Sequence, residues 1–174
     1  MEDIALIFGS DTGMTEEVVS SIVDDWSASE LNVIEVFNLN KETFNQYNNF
    51  ILGLSTWYDG DLQSDWEDYF DKEFKEIDFT GKTVALFGLG DQYGYGEYFI
   101  DGVGILAKVI LENGGKIIGK WSTETYDFDT SKAQIEGEDY FYGLAIDEDN
   151  EPEKTPERLT HWLQQIEKEF QQVD

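Results

Sequence analysis

The sequence predicts a three-layer, doubly wound α/β sandwich built on a five-stranded parallel sheet. Two observations predict it. Short apolar runs alternate along the chain with apolar stripes at helical spacing, and strands that alternate with helices require a sheet covered on both faces. The length, 174 residues, fits one domain (residues 1–174) at about 150 residues each.

Ile4 to Phe8 is a short buried-strand run. Val18, Val19, Ile22, Val23 and Trp26 then recur at helical spacing, in a helix starting near Met14. Asn32 to Phe37 and Phe50 to Leu54 read as the next strands, with at most a short helical turn in Lys41 to Asn49. Leu62, Trp66, Tyr69 and Phe70 form a second stripe, and Lys82 to Gly88 a fourth strand. Phe99, Val103, Leu106, Ala107 and Ile110 form a third stripe, ended by Gly114-Gly115. Ile117-Ile118 starts a fifth strand, and Phe141 to Ile146 reads as strand again. Leu159, Trp162, Leu163, Ile166 and Phe170 define the last helix, with Thr155 as cap and Pro156 at its first position. The stretch from Gly119 to Tyr140 fits no simple unit, and a polar, aromatic segment of that length is often functional.

Composition narrows the function. Eleven Lys and Arg against 38 Asp and Glu give a net charge of −27. Such a field repels phosphate backbones and anionic membranes and attracts basic proteins. It also favours a monomer. The absence of Cys excludes disulfides, iron–sulfur clusters and thiol catalysis, and fits a cytoplasmic protein. Met1 to Ile4 does not resemble a signal peptide, and no apolar run approaches the roughly 18 residues that span a bilayer. His161, the single histidine, reads as a surface residue of the last helix rather than a metal ligand.

Three loops carry the chemistry. Ser10-Asp11-Thr12-Gly13-Met14-Thr15 joins the first strand to the first helix. Its hydroxyls and backbone N–H groups meet at a helix N-terminus, where a phosphate is stabilised. With no Lys it is not a nucleoside-triphosphate loop, and taken alone it is equally an ordinary Ser/Thr-rich helix cap. The third strand ends in Ser55-Thr56-Trp57-Tyr58-Asp59-Gly60, and the fourth in Gly88-Leu89-Gly90-Asp91-Gln92-Tyr93-Gly94-Tyr95. Ligands of open α/β sheets sit beyond the carboxyl ends of the strands, which brings these loops to one crevice. A Trp and a Tyr exposed there could sandwich a flat aromatic ring, the roles that the resemblance below implies for Trp57 and Tyr95.

Together the loops resemble the flavodoxin family, in its long-chain branch. Ser10-x-Thr12-Gly13-x-Thr15 is similar to the family's phosphate loop, and Thr56-Trp57 and Gly90-Asp91-Gln92-x-Gly94-Tyr95 to its ring-binding loops. Leu62 to Trp66, Trp121 to Phe128 and Gly143 to Asn150 extend the likeness, which is nearest to flavodoxins of cyanobacteria and algae. Met14, Tyr58-Asp59 and Thr125 depart from the family pattern.

The resemblance implies strand order 2-1-3-4-5, with the last strand split by an insertion at about 119–140. It implies a low-potential carrier of single electrons on noncovalently bound FMN, standing in for ferredoxin, and not an enzyme. FMN would be bound by Ser10, Asp11, Thr12, Gly13, Met14, Thr15, Ser55, Thr56, Trp57, Tyr58, Asp59, Gly60, Gly88, Gly90, Asp91 and Tyr95. The Tyr58–Asp59 peptide is the one expected to turn on reduction. Each carboxylate about 10 Å from the ring, at an effective dielectric of about 40, would oppose added negative charge by roughly 0.8 kcal/mol, or roughly 35 mV. Asp59, Asp61, Asp65, Asp68 and Asp91 are candidates, with Asp61, Asp65 and Asp68 on the polar side of the second stripe's helix. They would also steer basic partners such as ferredoxin–NADP reductase or photosystem I.

Three rival readings account for less of the sequence. A phosphorylated receiver domain needs an Asp where Ser55-Thr56 stands. A flavin-dependent reductase needs a substrate pocket that Tyr95 would cover. An acidic interaction module without cofactor explains the charge, but neither the phosphate loop nor the paired aromatics.

Overall fold

Every residue of Ile4–Phe8 is buried, because that strand runs through the centre of a sheet covered on both faces. The computed structural model describes residues Met1–Val173. In chain order the elements are β1 (Ile4–Phe8), α1 (Met14–Asp25), β2 (Leu31–Glu35), α2 (Thr43–Gln46), β3 (Asn49–Trp57), β4 (Asp61–Leu62) and α3 (Ser64–Lys72). They continue as β5 (Thr83–Leu89), α4 (Asp101–Glu112), β6 (Lys116–Ile118), β7 (Trp121–Ser122), β8 (Tyr140–Phe141), β9 (Leu144–Ile146) and α5 (Thr155–Val173).

The parallel sheet runs β2-β1-β3-β5-β6, as expected from the resemblance. Its last line is split. β6 pairs with Thr83–Ala85, and β9 continues the same edge against Phe87–Leu89. Side chains alternate between two cores. Ala5 and Ile7 join the α3 and α4 side, whereas Ile4, Leu6 and Phe8 join the α1 and α5 side.

The excursion between β6 and β9 contains the antiparallel pair β7–β8. Tyr126, Phe128 and Phe141 pack around Phe99 with ring centroids 5.6, 5.7 and 5.8 Å away. The segment is thereby seated on the chain just before α4.

Four local expectations change. The second strand stops at Glu35, and Val36–Asn38 is a 3-10 turn. Leu62 and Asp61 are not on α3: they form β4, because Thr56 and Trp57 pair back onto them across a tight turn. Phe141 to Ile146 is not one strand, since Phe141 pairs with Trp121 and Leu144 begins β9. Thr155 is no side-chain cap, as its buried Oγ1 has no hydrogen-bond partner. A 3-10 turn at Pro152–Lys154 leads into α5 instead. His161 is exposed, as expected.

Candidate functional site

The carboxyl ends of β1, β3, β5 and β9 converge on a cavity of about 350 Å³. Thr12, Met14, Ser55, Thr56, Trp57 and Tyr58 line one part, and Leu89, Gly90, Asp91, Tyr95, Glu148 and Asp149 the other. A wider recess of about 570 Å³ between α1 and β2 draws on none of the three loops.

The loop before α1 has the form of an anion seat. Ser10 Oγ accepts from the Gly13 N–H at 3.0 Å, and Gly13 turns with φ 86° into the helix. Among the described residues, the backbone N–H groups of Thr12, Met14 and Thr15 donate to no protein acceptor. They stand at the positive end of a twelve-residue helix. The Thr15 and Ser55 hydroxyls meet at 2.9 Å, tying this loop to the end of β3. Asp11 points elsewhere: its Oδ1 accepts from Gln63 Nε2 at 2.9 Å and Ser64 Oγ at 3.0 Å.

Two aromatic side chains line the other end. Tyr95 is half exposed. The Trp57 indole N–H is buried without a hydrogen-bond partner, which leaves a donor at this end of the cavity. Tyr58 is strongly exposed and holds φ 47°, left-handed backbone that a tyrosine rarely adopts. Asp59 is exposed in the turn, and Gly60 follows with φ 92°.

Several predicted site residues serve the scaffold. Thr56 Oγ1 accepts from the Gly102 N–H at 2.9 Å and so holds the head of α4. Asp91 Oδ1 accepts from the Gly94 and Tyr93 N–H groups at 2.7 and 3.1 Å and from Asn150 Nδ2 at 2.8 Å. Burial pushes this carboxyl up, but the bonds from Gly94, Asn150 and Tyr93 outweigh it and hold it below the ordinary carboxylate range. Gly88 does not line the cavity; it is buried within β5 against Val103.

Leu89, Glu148 and Asp149 line the cavity without having been singled out. The carboxyl-end rule that found the other loops applies equally to Asp147-Glu148-Asp149, which follows β9. Burial raises the Asp149 carboxyl, and the neighbouring Asp91, Asp147 and Glu148 raise it further. Gln92 of the ring-loop motif is almost fully buried and braces that loop: its Nε2 donates to Asp147 at 2.8 Å and Glu151 at 2.6 Å, and its Oε1 accepts from the Asp127 N–H at 2.7 Å.

The sequence profile of the family described as Flavodoxin matches residues 6–162. The chain belongs to the flavodoxin family. It is 44% identical over 165 residues to Flavodoxin 1 of Escherichia coli K12, covering 95% of this chain and 93% of that one. It is 43% identical over 171 residues to the flavodoxin of a Picosynechococcus species, covering 98% and 99%. The crystal structure of Fusobacterium nucleatum flavodoxin bound to flavin mononucleotide superposes with a TM-score of 0.90 at 34% identity, covering 97% of this chain and 99% of that one. Flavodoxins are electron-transfer flavoproteins rather than enzymes, and act as redox partners of other proteins. Among the described residues no helix is long and apolar enough to cross a membrane.

Proposed function

We propose that this flavodoxin carries single electrons on a noncovalently bound FMN held by the cavity at the carboxyl edge of the sheet. One observation carries the reading: the same cavity has unpaired N–H donors at one end and Trp57 and Tyr95 at the other. A phosphate with a flat ring matches that pairing, and the cavity size suits a small ligand.

FMN supplies the redox chemistry when bound. The chain's residues do the rest. The N–H groups of Thr12, Met14 and Thr15, with the Ser10, Thr12 and Thr15 hydroxyls around them, hold the phosphate without a cation. Met14, Ser55 and Thr56 line the passage between phosphate and ring. Trp57 and Tyr95 would cover the ring faces and exclude water, and the Gly90–Asp91 backbone would bond the polar ring edge. Tyr58, Asp59 and Gly60 form the turn beside the ring. Asp11 and Gly13 shape the phosphate loop, and Gly88 supports the ring loop from behind.

Residues 1–174 form one domain in this reading, with the stretch after Gly119 as an insertion into its last strand. The −27 charge supports a monomer and basic redox partners of the ferredoxin–NADP reductase or photosystem I kind, with the protein standing in for ferredoxin, and the lack of cysteine fits the cytoplasm. Asp59, Asp61 and Asp68 are exposed, and Asp61 pairs with Trp57 in the turn beside the site.

Visible absorption of the purified protein during stepwise anaerobic reduction tests the reading. A flavin spectrum that bleaches in two one-electron steps is expected. Protein that contains no flavin and takes up none when FMN is added overturns it, leaving an acidic interaction module.

A further inference from the structure

Asp11 is the single acidic residue in the 9–15 loop, and that loop contains no Lys or Arg. A carboxylate there stands beside the seat of a dianion, with no cation between them. Its placement depends on Gln63. That side chain is completely buried, and its amide is fixed at both ends. Oε1 accepts from the Trp66 N–H at 3.2 Å. The two amide hydrogens go to Asp11 Oδ1 at 2.9 Å and Asp65 Oδ2 at 3.1 Å. Ser64 Oγ gives Asp11 Oδ1 its second bond. The exit of β1 is shaped to this amide: a Cβ on Gly9 would lie 2.0 Å from Gln63 Oε1 and 3.0 Å from the Trp66 ring. Trp66 is anchored in turn, its indole N–H donating to the Gly53 carbonyl at 3.0 Å.

We infer that Gln63 is a positioning residue for the phosphate loop: its buried amide keeps the Asp11 carboxylate on the head of α3 and away from the anion seat. Gln63 does not line the cavity and acts entirely through Asp11. Two effects make the arrangement favourable. The charge is satisfied by two hydrogen bonds, and it sits at the positive end of a nine-residue helix. Without the amide, Asp11 has one exposed hydroxyl left, and its charge is free to swing towards the phosphate.

The inference rests on the FMN reading, and the test separates the two. Apoprotein is titrated with FMN and with riboflavin, which has the ring but no phosphate. Gln63→Met keeps the volume and removes the amide. FMN affinity is expected to fall about tenfold, or about 1.4 kcal/mol, while riboflavin affinity moves by less than about twofold. The FMN deficit shrinks in high salt. Adding Asp11→Asn to Gln63→Met removes the charge and is expected to restore most of the FMN affinity. Equal losses for both ligands, or no rescue by Asp11→Asn, overturn the inference and leave Gln63 a packing residue. Should Gln63→Met not fold, Ser64→Ala decides: FMN weakens at constant riboflavin affinity, and an unchanged ratio overturns the inference. Wild-type protein that binds neither ligand defeats the FMN reading itself.

Discussion

The Arg158 guanidinium lies 3.2 Å from the Glu151 carboxylate, and both side chains are almost fully buried. The guanidinium also sits 4.2 Å over the Tyr126 ring, so the pair joins the head of α5 to the insertion. Burial alone would raise the Glu151 carboxyl. Hydrogen bonds from Lys154, Gln92 and Arg158 outweigh it and hold the carboxyl down to about 2, against an ordinary value of 4.5. A folded value below the unfolded one gives stability that is complete above the unfolded value and lost as pH falls through the folded one. Urea unfolding from pH 7 to pH 2 should therefore show Glu151→Gln less stable than wild type at pH 7, with the gap closing between about pH 5 and pH 2. The difference curve is the informative one, because acid also relieves the self-repulsion of a −27 chain. Arg158→Ala removes one of the three groups that bond this carboxylate, leaving Lys154 and Gln92, and should cost about 1–3 kcal/mol at pH 7.

Gly88 packs within the core of β5. A Cβ on it would meet Val103 Cγ2 at 2.5 Å and Ile100 Cβ at 3.4 Å. Gly88→Ala should lower stability by about 1–3 kcal/mol through overpacking, read by urea unfolding. Pairing it with Val103→Ala should recover part of that loss. Recovery by a partner on α4 is the signature of packing, and a variant as stable as wild type would return Gly88 to the ligand side.

The ring-side turn holds strain at Tyr58, whose φ of 47° a glycine adopts without penalty. Tyr58→Gly relieves roughly 1–2 kcal/mol but adds roughly 0.5–1 kcal/mol of chain entropy to lose. The net expectation in urea is a gain of up to about 1 kcal/mol. Asp59→Gly acts on the next residue, whose φ must change if the Tyr58–Asp59 peptide turns on reduction. Freeing it should raise the first one-electron potential, by on the order of 50 mV. A redox titration in which that couple does not move removes the peptide from the mechanism.

What the sequence made legible follows from how each part is held. β1, β3 and β5 are buried on both faces, so their apolar runs are unambiguous. β4 carries no pattern: two residues become a strand only because Thr56 and Trp57 fold back on them. The insertion is fixed by bonds no periodicity encodes, such as the Asp129 and Thr130 N–H groups on the Gly96 carbonyl at 2.9 and 3.0 Å. The site loops were legible from glycines, hydroxyls and aromatics at strand ends. The roles of single hydroxyls and carboxylates were not, because Thr56 and Asp91 bond backbone with the same atoms that could bond a ligand. Gln63 and Gln92 fall within the motifs of the family likeness, but their roles were not legible, because a glutamine ordinarily reads as surface and only three-dimensional packing buries its amide.

Asp149 gives the remaining prediction. It lines the cavity, and burial together with Asp91, Asp147 and Glu148 lifts its carboxyl above the ordinary carboxylate range. While charged, it opposes the negative charge that a second electron brings. At about 10 Å and an effective dielectric of about 40 that opposition is roughly 35 mV. Protonation removes it, so the second potential should rise as pH falls through the Asp149 value, a window placed above that of an ordinary aspartate. Asp149→Asn should raise the potential by about 30 mV at pH 8 and flatten the pH dependence within that window. Because Asp149 is exposed at the rim, the difference from wild type should shrink as salt rises. Equal potentials for variant and wild type at low salt would mean that ring stacking and the local turn set the couple, with the acidic rim acting on partners alone.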